Sequence, residues 1–211
     1  MTNFLSRLNE FKVIPVLVIE DISIVTELGD IFVNSGLPVV EVTLRTPTSW
    51  QAVEKFLGNK NLAVGVGSVS DEGELLRAKE IGAEFVVSAG FNLDLVNYAN
   101  QLEMNYLPGI SNPSEILMAK RAKLDVVKYF PAESLGGVKT LQAMSAPFPD
   151  MKFVPTGGIT FENMHDYLKV KNVVAVGGSW MVSKKLLASR DLAGIGSEIV
   201  KIVEAMKIAG D

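Results

Sequence analysis

The 211-residue chain contains no cysteine and a single histidine, His165. Disulfides, thiolate metal sites and a cysteine nucleophile are thereby excluded. One imidazole cannot build a histidine-based metal cluster, and its place mid-helix in "TFENMHDYLKV" reads as a surface position, not as the base of a Ser-His-Asp triad. Acid–base chemistry must fall to carboxylates, lysine or tyrosine. No apolar run approaches the roughly 20 residues that span a bilayer. The opening "MTNFLSRLNEFK" lacks the basic and then apolar order of a secretory leader, so the expectation is a soluble cytoplasmic protein with no membrane contact. Basic residues are outnumbered, 20 against 24 acidic ones, leaving a net charge of -4 and a pI near 5.2. A sequence-independent nucleic-acid binder needs a basic face to displace counterions from phosphates, so nucleic acid is not expected as a partner. An anionic ligand would have to be held by local groups, namely a few arginines and helix N-termini.

Linkers rich in Ser and Gly are missing as well, and no charge block interrupts the chain. With 48% hydrophobic residues, a chain of this length supports one sizeable core, and residues 1–211 are read as a single domain. What is present is a regular alternation. Short β-branched runs at 13–19, 39–44, 62–68, 85–90, 106–111, 126–131, 152–158 and 173–180 read as strands. Amphipathic segments between them read as helices, several opening on Ser, Thr, Asp or Asn and some closing on Gly. Alternating β and α elements imply a parallel sheet. Eight such units fit a closed (β/α)8 TIM barrel better than an open doubly wound sheet. The segment "NFLSRLNEF" reads as an extra N-terminal helix covering the bottom of that barrel.

Polar residues inside these apolar runs are the informative ones. Lys128 lies in "VVKYFP", flanked by Val126, Val127, Tyr129 and Phe130. An ammonium there is expensive to desolvate, so it snorkels, pairs with a buried acid or is held uncharged. In "VVEVTLR" the parity of a strand puts Glu41 and Arg45 on one face, opposite Val40, Val42 and Leu44, and the aliphatic face is read as packing under helices. The same rule groups Ser68 with Val64 and Val66, and Thr156 with Val154 and Gly158. Bland readings stand beside these: Glu41 as a structural partner for a buried cation, Arg45 as a rim charge. Phe32, Trp50, Phe56 and Tyr98, at helical spacing, are read as core. Paired glycines in "PTGGIT" and "GGSW" end strands 7 and 8, the recurrent phosphate site of such barrels, where backbone N–H groups can approach a ligand closely. Close strand–helix packing is the alternative reason for glycine there.

Together, "EVTLRT", "GVGSV", "PGIS", "VKYFPAE", "FVPTGGI" and "GGSW" resemble the family of 2-keto-3-deoxy-6-phosphogluconate (KDPG) and 4-hydroxy-2-oxoglutarate (KHG) aldolases, over most of the chain. The resemblance implies a homotrimeric barrel and a class I aldolase that needs no metal or other cofactor. Lys128 would form the Schiff base and Glu41 would act as general acid and base. Arg45 would hold the pyruvyl carboxylate, and Phe130 would wall the imine. Thr156 and Ser68 would contact the substrate, while Gly157, Gly158, Gly178 and Ser179 would hold its phosphate. The partners implied are 2-keto acids, pyruvate among them. Two departures stand out: Ser68 where the family usually has threonine, and Ala89 where proline is common. Two rivals stay open, an aldolase for the galactonate epimer and a non-catalytic phosphosugar-binding barrel.

Overall fold

The computed structural model describes residues 2–208. Helix α1 (Thr2–Phe11) precedes strand β1 (Val13–Leu17), and the chain then alternates. The order is α2 (Val25–Asn34), β2 (Val39–Thr43), α3 (Ser49–Leu57), β3 (Ala63–Gly67), α4 (Glu72–Glu80) and β4 (Phe85–Val87). It continues with α5 (Leu93–Gln101), β5 (Asn105–Leu107), β6 (Gly109–Ile110), α6 (Pro113–Arg121), β7 (Val126–Tyr129) and α7 (Gly137–Ser145). The last elements are β8 (Lys152–Pro155), α8 (Met164–Leu168), β9 (Val176–Gly178), α9 (Lys184–Ala188) and α10 (Leu192–Ile208).

Every strand pair is parallel. One run of neighbours is β5-β4-β3-β2-β1-β9 and the other is β6-β7-β8. β5 and β6 are two halves of one strand, interrupted at Pro108, which has no N–H to give the ladder. Its carbonyl still accepts from Lys128 N at 2.9 Å, so the first half pairs with β4 and the second with β7. Bridges Phe153↔Val173 and Thr156↔Gly177 join β8 to the β9 side. The ring therefore closes, and the fold is the (β/α)8 barrel of the sequence reading with its extra N-terminal helix.

Several expected elements are shorter than the periodicity suggests, β4 keeping only Phe85–Val87 of the run at 85–90. The segment at 173–180 is regular only over Val176–Gly178, and α8 keeps five residues of the longer helical pattern. Trp180–Val182 forms a 3-10 turn instead of continuing the strand.

Helix starts follow their caps. Asp71 accepts from Glu74 N at the head of α4, and Asn112, followed by Pro113, accepts from Glu115 N at the head of α6. These side chains satisfy N–H groups that the first turn leaves without partners.

The outer faces of the strands carry Val40, Val42, Val64, Val66, Val86 and Val127, all buried. Each such side chain contributes about 1.5–3 kcal/mol by leaving water. Phe32 and Phe56 are fully buried helix residues, as expected of core, while Trp50 and Tyr98 are half-buried. At the N-terminal end of the barrel the Phe85 ring fills the space in which a Cβ on Gly65 would lie only 2.1 Å away. Phe4 of α1 packs on that ring at 5.6 Å between centroids, and Arg7 reaches Glu84 at 3.2 Å. α1 thus closes the bottom and leaves chemistry to the opposite end.

Candidate active site

Lys128 is the third residue of β7 and Glu41 the third of β2. Their strands lie apart around the ring, yet Lys128 Nζ donates to Glu41 Oε1 at 3.4 Å, and the residues are only 5% and 3% exposed. At that distance and an effective dielectric near 20 the attraction is about 5 kcal/mol. Desolvating two charges costs several kcal/mol each, so the pair is poorly explained as a stabilising device. The same Nζ sits 5.2 Å from the centre of the Phe130 ring, which is half-buried.

Space for the carboxylate comes from a missing side chain. A Cβ on Gly67 would meet Glu41 Oε1 at 2.3 Å. Gly177 does the same for Thr156, whose Oγ1 would lie 2.4 Å from an added Cβ. Neither glycine has a positive φ, so the requirement is steric. Gly65 and Gly67 share a face, and "GVGS" thereby carries a readable signal: alternate glycines on one strand face mark where neighbours need room. Gly67 was missed in the sequence reading, and Gly177 was credited with a backbone role or with close strand–helix packing, not with making room for Thr156.

Parity correctly turns Glu41, Lys128 and Thr156 inward together. For two others it gives no guide. β3 presents Gly65 and Gly67 to the interior and Val64 and Val66 to the helices, so the valines with which Ser68 was grouped lie on the outer face. Ser68 follows the strand with φ of 65°, a left-handed conformation that breaks the alternation. Arg45 was expected to point inward beside Glu41, but β2 ends at Thr43. Arg45 lies exposed in the loop beyond and forms no ion pair among the described residues. A loop residue owes nothing to strand alternation. His165, expected at the surface, is half-buried with its ring edge-on to Phe161 at 6.4 Å.

The loop after β8 is built unusually. Gly157 and Gly158 have φ of 100° and 78°, values that glycine alone adopts without cost. Three successive carbonyls are pinned back: Thr156 O accepts from Ala132 N at 2.8 Å, Gly157 O from Glu133 N at 3.0 Å and Gly158 O from Asn163 Nδ2 at 3.2 Å. Among the described residues no acceptor takes the N–H of Gly157 or of Gly158. Two N–H groups are thereby left available to a ligand, as in backbone turns that bind anions. Gly178 is buried beneath the Trp180 ring, where an added Cβ would come within 1.9 Å, and exposed Ser179 follows it. Ser179 also borders a cavity of about 300 Å³ shared with Val16, Ile19 and Val182. Trp180 Nε1 is a buried donor with no partner among the described residues.

Behind that loop, Tyr167 donates its hydroxyl to Glu133. Burial first, and the adjacent carboxylate second, push the Tyr167 hydroxyl above its ordinary range. Tyr129, also buried, is displaced the same way.

A sequence profile of the KDPG and KHG aldolases matches residues 4–198. The chain belongs to that family. Family members resemble it over almost their whole length. The KHG/KDPG aldolase of Escherichia coli is 36% identical over 204 residues, covering 96% of each chain. Among solved structures, the 2-keto-3-deoxy-6-phosphogluconate aldolase of Zymomonas mobilis with 3-phosphoglycerate superposes with a TM-score of 0.89 at 35% identity, covering 95% of both chains. The KDPG aldolase of Legionella pneumophila, with pyruvate captured as a covalent carbinolamine, gives 0.90 at 32%, covering 93% of this chain and 96% of that one. A KDPG/KHG aldolase is a carbon–carbon lyase.

Proposed function

We propose that this chain is a class I aldolase that cleaves 2-keto-3-deoxy-6-phosphogluconate to pyruvate and glyceraldehyde 3-phosphate, and 4-hydroxy-2-oxoglutarate to pyruvate and glyoxylate. The observation that carries this reading is the Lys128–Glu41 contact of 3.4 Å inside the barrel. The neutral amine of Lys128 adds its lone pair to the C2 ketone, and loss of water from the carbinolamine, with one proton supplied through Glu41, leaves an iminium. Glu41 accepts the proton of the C4 hydroxyl as the C3–C4 bond breaks, and that bond's electron pair passes to C3 to form an enamine. The aldehyde departs. Protonation at C3 and hydrolysis of the imine then release pyruvate and return the amine.

The remaining roles rest on the family resemblance. Thr156, Ser68 and exposed Arg45 bind the pyruvyl end, Arg45 through the carboxylate, and Phe130 shields the imine from water. Gly157, Gly158, Gly178 and Ser179 receive the phosphate, a role supported by the free N–H groups of the first pair. The carbinolamine held by the Legionella relative supports a covalent route through lysine. The family resemblance supports a cytoplasmic homotrimer, and Leu117 and Met118 of α6, 55% and 45% exposed, leave apolar surface for a neighbouring copy. Among the described residues no helix is long and apolar enough to cross a membrane.

Borohydride reduction in the presence of pyruvate tests the reading. A stable, inactivated adduct mapping to Lys128 is expected. Recovery of unmodified, fully active protein would reject the covalent mechanism and favour a barrel that only binds phosphosugars.

A further inference from the structure

The proposed phosphate cradle does not hold itself. Gly157 and Gly158 are both left-handed, and glycine is the least constrained residue, so the direction of their N–H groups depends on what fixes their carbonyls. Two side chains from the α8 region supply that fixation. Asn163, just before the helix, donates Nδ2 to Gly158 O at 3.2 Å while its Oδ1 accepts from Thr160 N at 2.8 Å, bridging the two ends of the loop. Tyr167, one turn further on and fully buried, donates to Glu133. The Glu133 stem lies directly over Gly158: an added Cβ there would meet its Cβ at 2.6 Å and its Cγ at 2.7 Å. The backbone N–H of the same glutamate holds Gly157 O.

Charge adds a second reason for the tyrosine. Glu133 is an exposed carboxylate beside a site proposed to take a dianion, and a free carboxylate would repel that ligand. The hydroxyl of Tyr167 holds it back, against the helix.

We propose that Asn163 and the Tyr167–Glu133 pair are positioning residues for the phosphate end of the substrate: they aim the N–H groups of Gly157 and Gly158 and keep the Glu133 carboxylate out of the cradle. This rests on the reading of that loop as the phosphate site. Selectivity for a phosphorylated over an unphosphorylated 2-keto acid would then be set partly from α8, by side chains that touch neither substrate.

The test compares kcat/KM on 2-keto-3-deoxy-6-phosphogluconate and on 4-hydroxy-2-oxoglutarate for the wild type, Tyr167→Phe and Asn163→Ala, with inorganic phosphate as a competitive probe. Tyr167→Phe loses one hydrogen bond and Asn163→Ala two, so the expected change is a fall of about fivefold or more in the ratio of the two values, carried by KM for the phosphorylated substrate. Inhibition by inorganic phosphate should weaken in parallel. kcat on 4-hydroxy-2-oxoglutarate should stay within about twofold, because bonds lost away from the reacting atoms leave the chemical step intact. Variants that slow both substrates equally would show a merely structural role and overturn the proposal, as would variants that keep the wild-type ratio. A wild type that is indifferent to phosphate would instead reject the cradle itself, and the proposal with it.

Discussion

Replacing Gly67 with alanine is the sharpest probe of the site, because it adds one methyl group and touches neither proposed catalytic residue in sequence. The new Cβ would lie 2.3 Å from Glu41 Oε1 and 2.9 Å from both Cγ and Cδ, against an ordinary contact of 3.4 Å or more. Relief requires the carboxylate to move by about 1 Å, since β3 is held on both sides by β2 and β4 and packed interiors yield little. If the whole shift lengthened the 3.4 Å contact with Lys128, the Coulomb attraction would weaken by only about 1 kcal/mol at an effective dielectric near 20. Misplacing the base relative to the C4 hydroxyl costs more. An error of about 1 Å in a reacting group is worth on the order of a hundredfold in rate, or about 2.7 kcal/mol of barrier. Geometry, not charge, should dominate the loss. The backbone of Gly67 lies outside the left-handed region, so alanine brings no φ strain. Overpacking should cost about 1–3 kcal/mol of stability, visible as a lower melting temperature of a still folded protein. Steady-state cleavage of 2-keto-3-deoxy-6-phosphogluconate, read by coupling pyruvate to lactate dehydrogenase, should show kcat/KM reduced by about two orders of magnitude. Borohydride trapping by pyruvate should persist. A folded Gly67→Ala protein with wild-type kcat/KM would refute the argument that this void places the base.

Glu41→Gln should depress turnover by about 10²–10⁴ while leaving some adduct formation with pyruvate, as followed by mass spectrometry; unchanged turnover would remove Glu41 from the chemistry. Phe4→Ala should lower unfolding free energy by about 3 kcal/mol in a urea titration, because it strips the contact of α1 with Phe85 and leaves a cavity. A shift below 1 kcal/mol would mean that α1 contributes little to closing the barrel. Burial holds the Tyr106 hydroxyl above the ordinary phenol value of 10.0, with the Ser88 hydrogen bond opposing in part. The folded chain keeps that proton where the unfolded chain loses it, so the contribution is complete below about pH 10 and falls as pH rises further. Urea midpoints from pH 8 to 11 should therefore drop less steeply in Tyr106→Phe than in the wild type.

Much of the architecture was legible because period and punctuation are local properties. Each expected strand has a counterpart, and α1 begins and ends close to where its apolar spacing does. The failures have local causes too. Pro108 splits a strand without altering its hydrophobic pattern, and the helical pattern at 160–170 winds properly only over Met164–Leu168, since its first turns serve the Gly158 loop. Alternation gives the period of a strand but not its phase. In β3 the valines were grouped with Ser68 and the glycines were given no role. The interior position of Gly65 and Gly67 became evident only with Phe85 and Glu41 beside them.

Composition and alternating elements were enough to reach a parallel barrel, and a set of short motifs was enough to reach a family, since each depends on residue type and spacing within single strands, helices and turns. The pairing of Lys128 with Glu41, 87 residues apart, was decided only when the ring closed. So were the voids at Gly67 and Gly177 and the bracing of the Gly157–Gly158 loop from α8. Those features are relations between distant backbones at sub-ångström tolerance. Such distances arise from packing the whole ring at interior density, and no window of neighbouring residues contains them.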